Sequence, residues 1–188
     1  MKARNEYHIT QLPSLIFSFI LTKIFFSNAK LIRFPIDIRG KRFMTFGKNL
    51  VTGRYCRIDC HKINFEDDDP KLILGNNIQL NDKCHIACTG RIEIGDNVLI
   101  ASNVFITDHD HVNTKEEIDI SIPWSKQPLY VDPVIIEENV WIGENVTILK
   151  GVTIGKNSII GAGSLVTKSV PCNTINVGIP SKIIRYLK

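Results

Sequence analysis

The residue types best suited to chemistry stand together at Asp108-His109-Asp110-His111. An unperturbed imidazole has a pKa of about 6.5, so either histidine can take up or release a proton near neutral pH. Two histidines among carboxylates also suit a metal ion, and the plainest reading is a solvated loop. A second candidate group is Cys56, Cys60, Cys84 and Cys88, with His61 and His85 nearby. Thiolates and imidazoles suit zinc. Cys-x3-Cys is not a strong finger spacing, however, and free cysteine serves equally as a small apolar core residue. No metal is expected here.

These groups need elements to position them. The chain has 188 residues, 44% hydrophobic and 22% charged, enough for one domain with a sizeable core. The net charge of +4 is scattered rather than gathered into a stripe, so nucleic acid is not an expected partner. An odd count of five cysteines argues against a disulfide framework and fits a reducing cytoplasm. The apolar run at residues 12–26 is broken by Pro13, Ser14, Ser18, Thr22 and Lys23. It falls short of the about 20 apolar residues that cross a bilayer.

A period of six dominates the chain. Aliphatic residues recur at Ile136, Ile142, Ile148, Ile154, Ile160 and Val166, and each is followed four places on by Val140, Val146, Val152, Ser158, Ser164 and Val170. The same register runs through Ile94, Ile100 and Ile106, through Leu74, Leu80 and Ile86, and more weakly through Phe46, Thr52 and Ile58. A period of six fits neither a helix nor simple strand alternation. It fits a chain winding with three flat faces per turn, a short strand on each and a turn at each corner. Gly75-Asn76-Asn77, Gly95-Asp96-Asn97 and Gly155-Lys156-Asn157 supply the corners with tight-turn and positive-φ conformations.

The repeat fails after Ile106 and resumes near Val134. A loop of that length inside a regular repeat array is usually functional. It carries the Asp-His-Asp-His run, with Trp124 and Tyr130 able to shape a pocket. At the other end, residues 12–34 read as a helix stopped by Pro35, with Leu15, Phe19, Ile20, Ile24 and Leu31 on one face. The plain reading is a cap on the end of the repeat array. A second reading lays the helix on the inner membrane, with Lys23, Lys30 and Arg33 compatible. Residues 1–40 are thus expected as a helical cap, residues 41–188 as the repeat domain, and residues 107–133 as its inserted loop. His61 and His85 lie within repeat sequence and are read as structural.

The hexads resemble the hexapeptide-repeat acyltransferase superfamily, above all its galactoside/maltose acetyltransferase-like members and the O-acetyltransferases of surface-polysaccharide synthesis. The likeness is most specific at Val140-Trp141-Ile142-Gly143, Gly151-Val152-Thr153-Ile154-Gly155 and Ile160-Gly161-Ala162-Gly163-Ser164. It implies an all-β fold, a left-handed parallel β-helix, assembled as a homotrimer. It also implies transfer of an acetyl group from acetyl-CoA to a sugar hydroxyl. The ungapped resemblance puts the catalytic base on His111, with His109 two residues before it. Ala162 would offer backbone contact to pantetheine, Thr167 and Lys168 would lie near the nucleotide end, and Lys182 and Arg185 would face its phosphates. Glu144 falls on a contact position that is usually small or polar. Asn81 falls on an acceptor-binding asparagine. Alternatives within enzymes are an amino sugar, serine or a xenobiotic as acceptor; outside enzymes, a non-catalytic or metal-binding β-helix.

Overall fold

The computed structural model describes residues 8–62, 71–112 and 118–188. Strands dominate it, with one α-helix near the start. That helix, α1 (Leu12–Phe25), opens with Pro13 in its first turn. The first circuit of strands follows: β1 (Leu31–Ile32), β2 (Asp37–Arg39) and β3 (Met44–Phe46). Next come β4 (Val51–Thr52), β5 (Arg57–Cys60) and β6 (Lys71–Leu74), then β7 (Gln79–Leu80), β8 (His85–Cys88) and β9 (Arg91–Ile94). The fourth circuit starts with β10 (Leu99–Ile100) and β11 (Phe105–Thr107). It is interrupted by the pair β12 (His109–Asp110) and β13 (Tyr130–Val131) and closes with β14 (Val134–Ile136). After it run β15 (Trp141–Ile142), β16 (Thr147–Ile148), β17 (Thr153–Ile154), β18 (Ile159–Ile160) and β19 (Leu165–Val166). The chain ends with β20 (Thr174–Val177) and β21 (Lys182–Tyr186).

Successive strands fall in rotation on three sheets, of eight, six and five strands, and each strand pairs in parallel with its counterpart one circuit away. The exception in the largest sheet is β21, which turns back antiparallel on β20. β12 and β13 pair antiparallel with each other outside the three sheets. The expected division at residue 40 falls inside the first circuit, since β1 and β2 already join two of the sheets.

The period of six arises from the inside. Ile136, Ile142, Ile148, Ile154, Ile160 and Val166 are each at most 1% exposed, stacked on their counterparts in neighbouring circuits. The residues four places on are buried as well, so each face contributes two interior positions. Cys56, Cys60, Cys84 and Cys88 are all buried among them as free thiols, and Cys60 lies directly opposite Cys88. Among the described residues no group of three or more histidines, cysteines or carboxylates is arranged to hold a metal ion.

At the corners the labour is divided between residue types. Asn77, Asn97 and Asn157 take the positive φ, near 59°. Asparagine tolerates that conformation better than other non-glycine residues. Their amides also stack, with Asn77 Nδ2 donating to Asn97 Oδ1 at 2.9 Å and Asn157 Nδ2 to Asn173 Oδ1 at 2.8 Å. Gly155 is needed for space instead: a Cβ there would lie 2.4 Å from the backbone nitrogen of Cys172 in the next circuit.

Two expectations about α1 are corrected. The helix stops at Phe25 rather than Phe34, because Lys30 and Leu31 give their N–H groups to the Leu50 carbonyl and begin a strand. Its inward face is polar. Ser18 and Thr22 are buried, while Phe19, Ile20 and Ile24 stand more than half exposed. The end strand leaves N–H groups that need acceptors. Thr22 Oγ1 takes the Ile32 N–H at 2.8 Å, and Ser18 Oγ takes the Phe34 N–H at 3.1 Å.

Candidate active site

The insertion leaves the sheet where β11 ends. Its first residue, Asp108, is fully buried. Its carboxylate accepts the N–H groups of Thr89 at 2.9 Å and Gly90 at 2.8 Å, and lies 2.9 Å from His109 Nδ1. Burial alone would push this acid up. The hydrogen bonds from His109, Gly90 and Thr89 outweigh burial and hold it below the ordinary carboxylate range. An ionised Asp108 calls for the proton on His109 Nδ1, which leaves Nε2 as the basic nitrogen.

The root of the insertion is braced. β12 and β13 pair there, the Asp132 N–H donates to the Asp108 carbonyl at 2.9 Å, and Lys150 Nζ stands 3.6 Å from Asp110 and 3.7 Å from Asp132. His111 follows this braced segment. It is exposed, and no described residue holds its ring by a hydrogen bond or ion pair. Residues 113–117 of the expected loop lie outside the described residues.

His109, Asp110 and His111 line one cavity of about 560 Å³. The opposite wall is the outer face of the six-stranded sheet: Arg57 and Asp59 on β5, His61 just beyond it, and His85 on β8. Asp59 Oδ2 is 2.5 Å from Arg57 Nε and 3.3 Å from His85 Nε2. The His85 ring packs on Phe105 with centroids 5.0 Å apart. His61 and His85, expected only to support the strands, thus face the same space as His109 and His111. Asp59 was not singled out by the sequence, and Asp108 was named only as part of the Asp-His-Asp-His run, without a role of its own. A carboxylate directly before His109 is the one signal that was available.

Residues 133–168 match the family described as bacterial transferase hexapeptide (six repeats), and residues 86–108 match the hexapeptide repeat of succinyl-transferase. WbbJ of Escherichia coli (strain K12), assigned to lipopolysaccharide biosynthesis as an O-acetyl transferase, is 37% identical over 188 residues, covering 98% of this chain and 93% of WbbJ. The chain belongs to the hexapeptide-repeat acetyltransferases. In fold, this acetyltransferase is similar to a variant of AntD, an N-acyltransferase from Bacillus cereus solved with dTDP-4-amino-4,6-dideoxyglucose and coenzyme A. The TM-score is 0.70 at 24% identity, with 90% of this chain and 88% of that one covered. It is also similar to a galactoside acetyltransferase solved with coenzyme A, with a TM-score of 0.53 at 26% identity, covering 98% and 75%.

The remaining expected site residues are spread over the acetyltransferase. Ala162 is exposed at a corner, and its N–H makes no hydrogen bond among the described residues. Beside it, the Glu144 carbonyl accepts the Gly163 N–H at 2.8 Å, and the Glu144 carboxylate takes Asn103 Nδ2 at 3.2 Å. Thr167 and Lys168 are exposed just after β19, and Lys182 and Arg185 are exposed on β21. Trp124 is 57% exposed, and Tyr130 pairs with Asp110; neither lines the histidine cavity, to which the insertion's returning arm contributes Leu129. Asn81 lies apart, in a separate cavity of about 660 Å³ with Arg54 and Asp82.

Proposed function

We propose that this acetyltransferase moves an acetyl group from acetyl-CoA to a sugar hydroxyl in bacterial surface-polysaccharide synthesis, with His111 as general base. The observation that carries the reading is the meeting of His109 and His111 in one cavity. The similarity to WbbJ and to a galactoside acetyltransferase bound to coenzyme A supports the choice of acceptor and donor.

Acetyl-CoA supplies an acyl group already activated as a thioester. The corner at Ala162 fits a pantetheine arm, because its exposed N–H is free to donate to an amide carbonyl. Lys182 and Arg185 suit the phosphates, with Thr167 and Lys168 near the nucleotide end. His111 takes the proton of the acceptor hydroxyl as its oxygen forms the bond to the acetyl carbon. The carbon–sulfur bond then breaks, and the proton passes from His111 to the departing thiolate. A second assignment, His109 as the base, is favoured by the 2.9 Å contact with Asp108.

The rotation of strands through three parallel sheets supports a left-handed parallel β-helix, and we take the working unit to be a homotrimer in the cytoplasm. The separation of Asn81 from His111 fits a site completed by a neighbouring subunit.

The test is a panel of sugars offered with acetyl-CoA while free CoA thiol is followed. His111→Ala should lower kcat by about 10²–10⁴-fold, with trimer and melting temperature unchanged. Full turnover in that variant, together with its loss in His109→Ala, hands the role to His109.

A further inference from the structure

We propose that Asp59 and the floor beside it form the recognition subsite for the acceptor sugar, on the wall facing the two insertion histidines. This rests on the reading of the cavity as the acceptor site.

Asp59 is only 3% exposed, and its Oδ1 has no hydrogen-bond partner among the described residues. The other oxygen is engaged by Arg57 and His85. Arg39 Nε and His61 Nε2 each stand 3.8 Å from Oδ1, beyond hydrogen-bonding reach. A charged acceptor left unmade in a buried position is costly, and such an atom beside a cavity invites a donor from a ligand.

The neighbouring strands say what that ligand is. Asp59 lies opposite Ala87, and Ala87 lies opposite Thr107, so a short side chain separates Asp59 from the root of the insertion. Two strand spacings of about 4.8 Å each span that interval. A sugar ring lying over Ala87 therefore reaches from Asp59 toward the histidines. In the adjacent outward row, His85 and Phe105 present rings tilted by 35° with centroids 5.0 Å apart, a surface for the apolar face of a pyranose. Arg57 and Arg39 balance the charge of the carboxylate, and its Oδ1 can only accept. The class recognised is a pyranose whose hydroxyl donates to Asp59 Oδ1.

Two variants test this in the full-length chain, with methyl β-D-galactopyranoside, methyl α-D-glucopyranoside and N-acetylglucosamine as probes. Asp59→Ala should raise the acceptor KM about tenfold or more while leaving the acetyl-CoA KM in place. Ala87→Ile fills the space over the strand while keeping the Asp59 carboxylate and should do the same, so it decides the matter if Asp59→Ala does not fold. Activity toward a probe sugar with an acceptor KM indifferent to the variants overturns the subsite alone. Acetylation of no sugar, by wild type as well, overturns the acceptor reading and the subsite with it.

Discussion

Asp108 ties the start of the insertion to the loop after β8. Its carboxylate gathers donors from Thr89, Gly90 and His109 in a site with no exposure at all. Asp108→Ala would strand those donors, at about 1–3 kcal/mol for each buried group left unpaired. We expect urea melts to show a loss of about 3 kcal/mol or more, and kcat to fall along with it as the histidines lose their footing. A melt equal to wild type would mean that the loops hold each other without this acid. The sign of the pH dependence follows from the direction of the shift. The folded carboxyl sits below its ordinary value. Its stabilisation is therefore complete above the unfolded value of about 3.9 and is lost as pH falls through the lower folded value. Between about pH 5 and pH 2 the wild type should lose melting temperature more steeply than Asp108→Asn, in which that carboxyl is absent. Parallel curves would sink the argument.

At the scale of the element, α1 has its polar residues inside and its apolar residues outside. Phe17, Phe19, Ile20 and Ile24 are 56%, 52%, 51% and 65% exposed. Between Ile9 and Ile36 the charges are Lys23, Lys30 and Arg33, with no acid among them. No described helix is long and apolar enough to cross a membrane. An apolar face with basic flanks instead suits the surface of an anionic bilayer. The expected result is sedimentation with phosphatidylglycerol vesicles and weaker sedimentation with phosphatidylcholine. Phe19→Glu with Ile20→Glu should abolish it without moving the melting temperature. Failure to bind either vesicle would remove the membrane from the account. The contrast with the strands shows what a sequence makes legible. The hexads could be read because every interior position repeats the same packing demand, circuit after circuit. The facing of α1 could not, because it is set by the N–H groups of Ile32 and Phe34, whose need for acceptors appears only once β1 is in place. The wall of Arg57, Asp59 and His85 stayed hidden for a related reason. Circuits differ in length, so the strand opposite a given residue cannot be counted along the chain. The histidines were legible because they interrupt a repeat.

At the scale of the whole molecule, the groups assigned to donor, base and acceptor do not share one hollow. Ala162, Lys182 and Arg185 are spread over the corner and strands near the end of the chain, His109 and His111 line one cavity, and Asn81 lines another. A single chain leaves these as separate surfaces; the homotrimer proposed above, with acetyl-CoA between adjacent subunits, would join them. That arrangement would make ligand binding and assembly one equilibrium. Acetyl-CoA at about 100 times its Kd should stabilise the native state by about 2.7 kcal/mol. In a domain of this size that is a rise of about 5–10 °C in melting temperature. The rise should depend on protein concentration, because a ligand held between subunits favours the assembled form. Lys182→Ala with Arg185→Ala should reduce it by removing the cations offered to the phosphates. Sedimentation equilibrium would report a trimer in the same samples. A monomer that still gains the full shift would place the donor on one subunit alone, and a trimer with no shift at millimolar acetyl-CoA would take the donor away altogether.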